Sequence, residues 1–547
     1  MATPVAKPVL GTPGGPSSGL KAATPASVNR FLTRTNALER VESLNEHLAQ
    51  ATSSDHSPAA STSRVSLATT ADPRSYDYRY MYERLMDRSE KLDNQLDDAA
   101  ELFRRHYLTA ETGEVVEEFT DPSQTSDVET LAIGRIQADW ETQGAVKLGP
   151  DNLVLETSRL LGAGSRVTLK LAPNVRVRGA APGETQNGLF PGAIVAVRGR
   201  NGGAGFFNVS EIITLPPVDP PETTPAQLLT LQHAPNKLNG MPLSVVTAAG
   251  PYTTDDTLDY AVLHDLLDEV KRIKPDVLVL LGPFVDDKHP LIRAGDVSLS
   301  ADELFRQQIS SRLGSVLKTS PATTIILVPS TRDLVSRHCV FPQGPFPKGD
   351  AELGLPRAVK LLPNPAVFSI NEVAFAVTTV DTLFHLTREE WAHSARDVDA
   401  PDQAGGPSSD GAIVEAVAQP DAMARRCRHI LRQRSFYPIF PPPAEGANID
   451  AVNLDVSHID LLRIGNIGAD IVILPSVLKH FAKVVDSTVM VNPSYACRGH
   501  SGGTFARIAV HPMPRAELER MAAESGDSGD VTEHRIWERA RVDITRV

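Results

Sequence analysis

Two aspartates, Asp286 and Asp333, lie just past two runs of aliphatic residues. Carboxylates at strand ends are what a protein uses to hold divalent metals over a phosphate ester. A two-metal hydrolytic centre needs a larger set, because each ion takes several carboxylate, amide or imidazole ligands and the pair must activate one water between them. The neighbouring residues do not supply it. The run Ser244-Val245-Val246-Thr247 leads into Ala248-Ala249-Gly250-Pro251, the run 277–281 into Gly282-Pro283-Phe284-Val285-Asp286, and the run 324–328 into Pro329-Ser330-Thr331-Arg332-Asp333. Ala248 and Ala249 have no side-chain donor atom, and Arg332 brings a positive charge beside Asp333. The imidazoles that a metal could recruit alongside the aspartates are His338, His480 and His500, and their spacing lacks the required pairs. The expectation is a site with no catalytic residue, no metal and no cofactor; an active metal-dependent phosphoesterase is the alternative.

The elements that position these loops read as an α/β unit. Residues 258–273 form an amphipathic helix between the first two runs, with Val262, Leu263, Leu266, Leu267 and Val270 as its apolar stripe. Strand, crossover helix and strand imply parallel pairing with a right-handed connection. Residues 366–380 add strand pattern. Residues 396–420, acidic and rich in Gly, Pro and Ser, read as a flexible surface insertion. Residues 421–434 return to helix, with Met423, Cys427 and Leu431 on one face and Arg425, Arg428 and Arg432 on another that reads as solvated. The strand-end loops fall where a calcineurin-like metallophosphoesterase keeps its ligands. The domain resembles that fold with its Asp-x-His, Gly-Asp-x-x-Asp and Gly-Asn-His-Asp/Glu motifs lost.

Ahead of this unit the period changes. Five short β-rich runs, 130–136, 152–156, 166–171, 193–198 and 206–213, are separated by turns such as Gly162-Ala163-Gly164 and Gly202-Gly203. They predict a small barrel of the OB type. Phe206 and Phe207 are adjacent and must point to opposite faces, so at least one belongs to the core. Arg159, Arg166, Arg198 and Arg200 give the barrel some positive charge, but the aromatic signature for stacking bases is weak. Direct single-strand binding by the barrel is therefore carried as a further hypothesis. Residues 76–107 read as a helix with Met81, Leu85, Leu92, Leu96, Ala99 and Phe103 on one side. The proline-rich 216–225 reads as a stiff linker.

The 547 residues suffice for two or three domains, and a hydrophobic fraction of 41% fits a globular chain. No apolar run approaches the roughly 18–20 residues that span a bilayer. Cys339, Cys427 and Cys497 are unclustered and odd in number, which argues for a reducing compartment and against cysteine-ligated zinc. A net charge of −13 argues against strong, independent nucleic-acid binding. The expected boundaries are a disordered tail over 1–73, a helical lead-in over 74–120, an OB-fold domain over 121–225, an inactive phosphoesterase-like domain over 226–515 and a C-terminal extension over 516–547. Within the tail, Thr3-Pro4, Thr12-Pro13, Thr24-Pro25 and Ser57-Pro58 are candidate sites for proline-directed kinases, and Phe31-Leu32 with 38–48 is a candidate element that orders on a partner.

One family carries these motifs in this order. The runs Ala249-Gly250-Pro251-Tyr252-Thr253-Thr254, Pro275-Asp276-Val277 and Gly282-Pro283-Phe284-Val285-Asp286-Asp287-Lys288-His289 resemble the B-subunit family of DNA polymerase alpha. So do Val328-Pro329-Ser330-Thr331-Arg332-Asp333, Phe341-Pro342-Gln343-Gly344-Pro345-Phe346 and Tyr437-Pro438-Ile439-Phe440-Pro441-Pro442. Leu474-Pro475-Ser476, Val491-Asn492-Pro493 and Gly502-Gly503-Thr504-Phe505-Ala506-Arg507 fit as well. Thr33-Arg34-Thr35-Asn36-Ala37 and Val41-Glu42-Ser43-Leu44-Asn45 are similar to the linker of fungal members, and the resemblance spans roughly 30–515. It implies an OB barrel packed on a metal-free phosphoesterase-like domain, and a nuclear, non-enzymatic role in starting DNA replication. The implied partners are the C-terminal zinc-binding region of the polymerase alpha catalytic subunit and, through the complex, the small and large primase subunits. DNA contact would be indirect or weak, and no membrane is involved. The loops bearing Tyr252, Thr253, Phe284, Lys288, His289, Phe341 and Phe346 are the candidate partner contacts. The accessory subunit of polymerase delta or epsilon is the sister reading. Family members usually begin with a helical bundle that recruits other replication factors; this sequence opens in residues similar to the linker beyond it, which leaves bundle-dependent recruitment open.

Overall fold

The computed structural model describes residues 31–51, 62–70, 72–110, 115–139, 147–181, 186–337, 339–394, 396–397, 421–443, 450–525 and 530–547. The four Ser/Thr-Pro pairs, His338 and the insertion from 398 to 420 lie outside them.

Five strands make the barrel: Thr130–Ala138 (β1), Leu153–Glu156 (β2), Arg166–Arg178 (β3), Ile194–Arg200 (β4) and Phe206–Ile213 (β5). β1 pairs antiparallel with β2 and β4, β2 with β3, and β4 with β5; a parallel pairing of β3 with β5 closes the ring. Alternation sets the two faces. Val167, Leu169, Val175 and Val177 are buried, while Arg166, Lys170 and Arg176 point out. Phe207 is buried in the core and Phe206 lies on the outer face with the Lys170 ammonium 3.7 Å from its ring centroid. A bulge between Leu171 and Arg176 lets the long β3 bend and reach both neighbours.

One helix covers this barrel. Asp87–Phe103 (α1) buries Leu96, Ala99, Ala100 and Phe103 against Leu131, Ile133, Ile194 and Ile213. It is shorter than the expected 76–107: Met81 and Leu85 precede it and are 91% and 95% exposed. The cause is tertiary. Tyr76 donates to the Pro365 carbonyl, and Tyr78 donates to the Pro342 carbonyl and stacks on His458, so the segment is tied to the α/β unit and cannot wind.

The α/β unit is built on two sheets. The first runs Arg40–Leu44, Ala540–Arg546, Thr504–Val510, Leu243–Ala249 (β6), Val277–Leu281 (β7), Thr324–Val328 (β8) and Lys360–Leu361, with β6, β7 and β8 parallel. The second runs Phe481–Val485, Thr488–Asn492, Ile471–Ile473, Val373–Val377, Ala366–Ile370 and Leu67–Thr69. Alternate residues of the first sheet serve two cores. Val245, Val279 and Ile326 meet Phe368, Phe375 and Ile473 of the second sheet, while Val246, Leu278 and Ile325 meet the helix Ala261–Ile273 (α2). The predicted stripe of α2, Val262 to Val270, is buried.

Four expectations are corrected here. Residues 31–51 and 62–70 are not a disordered tail: Phe31 is buried, and both segments add edge strands to the chain's own sheets. Nor do the residues after 515 form a mere extension, since Ala540–Arg546 pairs with strands on both sides. The proline-rich 216–225 is docked rather than free, with Pro216 and Pro221 buried and Glu222–Thr223 paired to Thr532–Glu533. Finally, the basic face of Ala422–Arg432 (α3) is not solvated. Arg425 is buried on Glu390, with Nε 2.6 Å from Oε1, and Arg426 and His429 reach the same carboxylate. Arg428 and Arg432 share Asp486. The helix is the seam on which barrel and α/β unit meet, and Trp391–Ser394, which pairs with Gln186–Leu189, and Arg396–Asp397, parallel to β3, stitch it further.

Candidate functional site at the strand ends

The loops after β6, β7 and β8 converge at the carboxyl end of the first sheet. They are packed too tightly for side chains at two points. A Cβ on Gly250 would lie 1.9 Å from the Pro283 carbonyl oxygen, and one on Gly282 would lie 2.4 Å from Asp333 Oδ2. These contacts account for the glycines.

Both strand-end aspartates, Asp286 and Asp333, are engaged by the protein itself. Asp333 is buried; its Oδ1 accepts from the backbone N–H groups of Phe284 and Val285, and its Oδ2 from that of Ser330 at 2.8 Å. Burial pushes its pKa up to about 7 against the downward pull of these three donors. Asp286 accepts from Arg332 on both oxygens, with Nε to Oδ1 at 3.0 Å. Arg332 also reaches Asp450, which pairs with Lys288. Burial works against the charge on Arg332, but the Asp286 carboxylate outweighs it and raises the guanidinium pKa. A guanidinium thus occupies the neighbourhood of Asp286, and this arrangement repels a cation rather than binding one.

The other candidates are placed as follows. Ala248 and Ala249 are buried in β6, and the Ala249 carbonyl accepts from Ala496 N–H. The Tyr252 hydroxyl donates toward the Ala248 and Leu281 carbonyls, both at 2.9 Å, and bridges the first two strand ends. Ser330 Oγ accepts from Arg332 N–H, and its carbonyl accepts from Gln343. Pro283 lies against Gly250. His500 pairs with Asp256 at 2.8 Å, and His480 is half-buried with no hydrogen bond to either aspartate. Among the described residues no group of three or more His, Cys, Asp or Glu is placed to hold a metal.

The candidate contact residues are corrected by burial. Tyr252, Phe284, Phe341 and Phe346 are at most 2% exposed, and Thr253 and His289 are buried too. Phe284 packs between the Tyr252, Phe305 and Phe346 rings, and His289 Nε2 donates to the Thr254 carbonyl at 2.9 Å. They hold the loops from inside. Lys288, partly exposed, is the exception. Three participants escape sequence reasoning: Tyr260, whose hydroxyl donates to the Phe284 carbonyl, Gln343 and Asp450. A second aromatic after Tyr252 was a readable signal for the first; nothing in the spacing marks the other two.

Comparison with known proteins covers both units. A family model for the OB domain of the DNA polymerase alpha B subunit matches residues 89–215, and one for the B subunit of DNA polymerase alpha/epsilon matches 245–483. The chain is similar to the DNA polymerase alpha B subunit of Schizosaccharomyces pombe, 31% identical over 99% of this chain and 84% of that protein. It is also similar to that of Saccharomyces cerevisiae, 31% identical over 88% of this chain and 67% of the relative, and of Mus musculus, 28% identical over 92% and 72%.

Proposed function

The chain belongs to the B-subunit family of DNA polymerase alpha, and from that premise we propose that it is a non-catalytic scaffold. It tethers the polymerase alpha catalytic subunit to primase, in the nucleus, so that an RNA primer passes directly to DNA extension. Its docking partner on the catalytic subunit is the C-terminal zinc-binding region, and the small and large primase subunits join through the complex. DNA contact is indirect or weak.

The observation that carries the non-catalytic part is the Asp286–Arg332 pair. The carboxylate best placed to ligate a metal is bonded on both oxygens by a guanidinium, and its fellow Asp333 is spent on three backbone N–H groups. Hydrolysis through two metals needs free ligands at these positions. The α/β unit then serves as an inactivated phosphoesterase-like sandwich whose stiff loops present protein surface.

The test is affinity purification of the tagged chain from nuclear extract with quantification of partners. Stoichiometric polymerase alpha catalytic subunit and both primase subunits are expected. Recovery of a delta or epsilon catalytic subunit would move the chain to a sister complex, and stoichiometric bound Mn, Fe or Zn with turnover of a phosphodiester would overturn the non-catalytic reading.

A further inference from the structure

Arg135 stands out among the chain's buried cations. It lies on the outer face of β1 beneath α1, is 2% exposed, and its Nη2 donates to the Leu92 carbonyl and to Gln95 Oε1. Both partners are neutral. The nearest carboxylates are engaged elsewhere: Glu156, directly across the ladder, pairs with Arg166, and Asp93 pairs with Arg159. Burial pushes the Arg135 pKa down to about 10, with Glu156 and Asp93 pulling it back only in part. A guanidinium out of water with no carboxylate in direct contact is costly to keep.

Arg135 also lines a cleft of about 360 Å³ where α1, the barrel and the α/β unit meet. Arg434 lines the same cleft. Its Nη1 and Nη2 donate to the Arg432 and Pro217 carbonyls, its Nε is buried without a partner, and no carboxylate lies within ion-pair distance among the described residues. Leu102, Ile194, Leu215 and Phe440 form the apolar part of the wall, beside Gln95, Gln433 and Ser435, and Phe440 offers its ring to Arg135 at 5.6 Å. Asp98 and Glu101 stand at the α1 side, exposed; Asp98 is paired with Arg463, which lines the cleft together with Arg105.

We propose that this cleft is a docking site for a protein partner's peptide segment in which an acidic side chain is flanked by a bulky apolar one. The carboxylate supplies the anion that Arg135 and Arg434 lack, as a charge-assisted, planar match to the guanidinium fork. The apolar neighbour covers Leu102, Ile194 and Leu215. A nucleic-acid backbone fits less well, because its repeating phosphates would pass Asp98 and Glu101 on the α1 rim. The volume lies within the range of sites that bury a ligand's surface. This proposal is independent of which polymerase the chain serves.

The test is a random peptide library displayed on phage and selected against the full chain. Enriched sequences are expected to share Asp or Glu beside Leu, Phe or Trp. A synthetic peptide of that consensus should bind the full chain, and binding should fall about tenfold or more in Arg135→Met and again when the peptide's acid becomes its amide. Because Arg135→Met removes a buried group, Leu102→Trp serves as the second variant; it blocks the wall from a partly exposed position and should also abolish binding while leaving the thermal midpoint unchanged. No enrichment, a consensus without an acid, or a peptide insensitive to both variants would overturn the proposal. So would displacement of the peptide by a single-stranded oligothymidylate at equal concentration, which would assign the cleft to phosphate.

Discussion

The Glu390 seam makes a quantitative prediction. Glu390 is 1% exposed in its side chain and receives Arg425 Nε at 2.6 Å, Arg426 Nε at 3.0 Å and His429 Nε2 at 3.1 Å. Replacing it by glutamine removes the charge, keeps the volume and leaves Arg425, itself 5% exposed, uncompensated. Stranding one partner of such a pair costs roughly 3–5 kcal/mol. The carboxyl's own titration gives a second figure. Burial pushes it up, yet the hydrogen bonds and charges of His429 and Arg425 outweigh this and hold it at about 2 against an ordinary 4.5. Holding a carboxyl that far down is worth roughly 3 kcal/mol. Because the folded value is the lower one, this stabilisation is present above about pH 4.5 and is lost as pH falls toward about 2. The assay is urea unfolding at neutral pH and in acid, followed by fluorescence, with Trp391 in the strand next to Glu390 as reporter. Glu390→Gln should lower stability by about 3 kcal/mol at neutral pH, and the wild-type advantage should shrink in acid. The double variant Glu390→Gln with Arg425→Met should recover much of the loss, since both buried charges are then gone. A single-variant cost below about 1 kcal/mol, typical of a solvated pair, or a double variant no better than the single, would refute the buried-seam reasoning.

Three further outcomes are expected. Gly250→Ala places a methyl 1.9 Å from the Pro283 carbonyl oxygen, so the soluble yield of folded protein should collapse in an expression test. Tyr252→Phe removes the hydroxyl that reaches the Ala248 and Leu281 carbonyls, of which Leu281 keeps the Gly250 N–H, and should cost about 0.5–1.5 kcal/mol in urea unfolding. Deleting residues 536–547 removes a strand paired on both sides in the first sheet, and circular dichroism should show loss of cooperative melting.

The parts legible from sequence were those governed by local period. The aliphatic runs of β6, β7 and β8, the stripe of α2 and the five barrel strands follow from alternation and helical spacing; each lies within a few residues of its expected place except β3, which runs to Arg178 instead of ending at 171. What could not be read depends on distant pairing. Arg40–Leu44 has the composition of a linker and becomes a strand because Ala540–Arg546 offers it an edge. The arginines of α3 have the spacing of a solvated face, and only the fold brings Glu390 and Asp486 beneath them. The sequence leaves Tyr252, Thr253, Phe284, Lys288 and His289 open as partner contacts or internal packing. Tyr252, Thr253, Phe284 and His289 turn inward, where ring packing and hydrogen bonds hold them, and Lys288 stays partly exposed.

The strand-end loops and the barrel are joined by fixed contacts. The Ala249 carbonyl accepts from Ala496 N–H, so the end of β6 holds the turn that carries Tyr495. Tyr495 donates to Asp381 Oδ2, which also accepts from Val477 N–H at 2.7 Å, while Asp381 Oδ1 caps the helix Thr382–Glu389 through Phe384 N–H. That helix delivers Glu390 to the seam, where Arg425 and His429 of α3 lock it, and Gln433 next to α3 exchanges hydrogen bonds with the backbone of Ile194 in β4. Every link is a hydrogen bond between buried or half-buried groups or a length of regular helix, so the barrel has no free hinge on the α/β unit along this path. An enzyme with a two-metal centre needs its strand-end loops open to substrate. The Asp286–Arg332 pair, with aromatic filling beneath, instead holds these loops closed and coupled to the neighbouring domain.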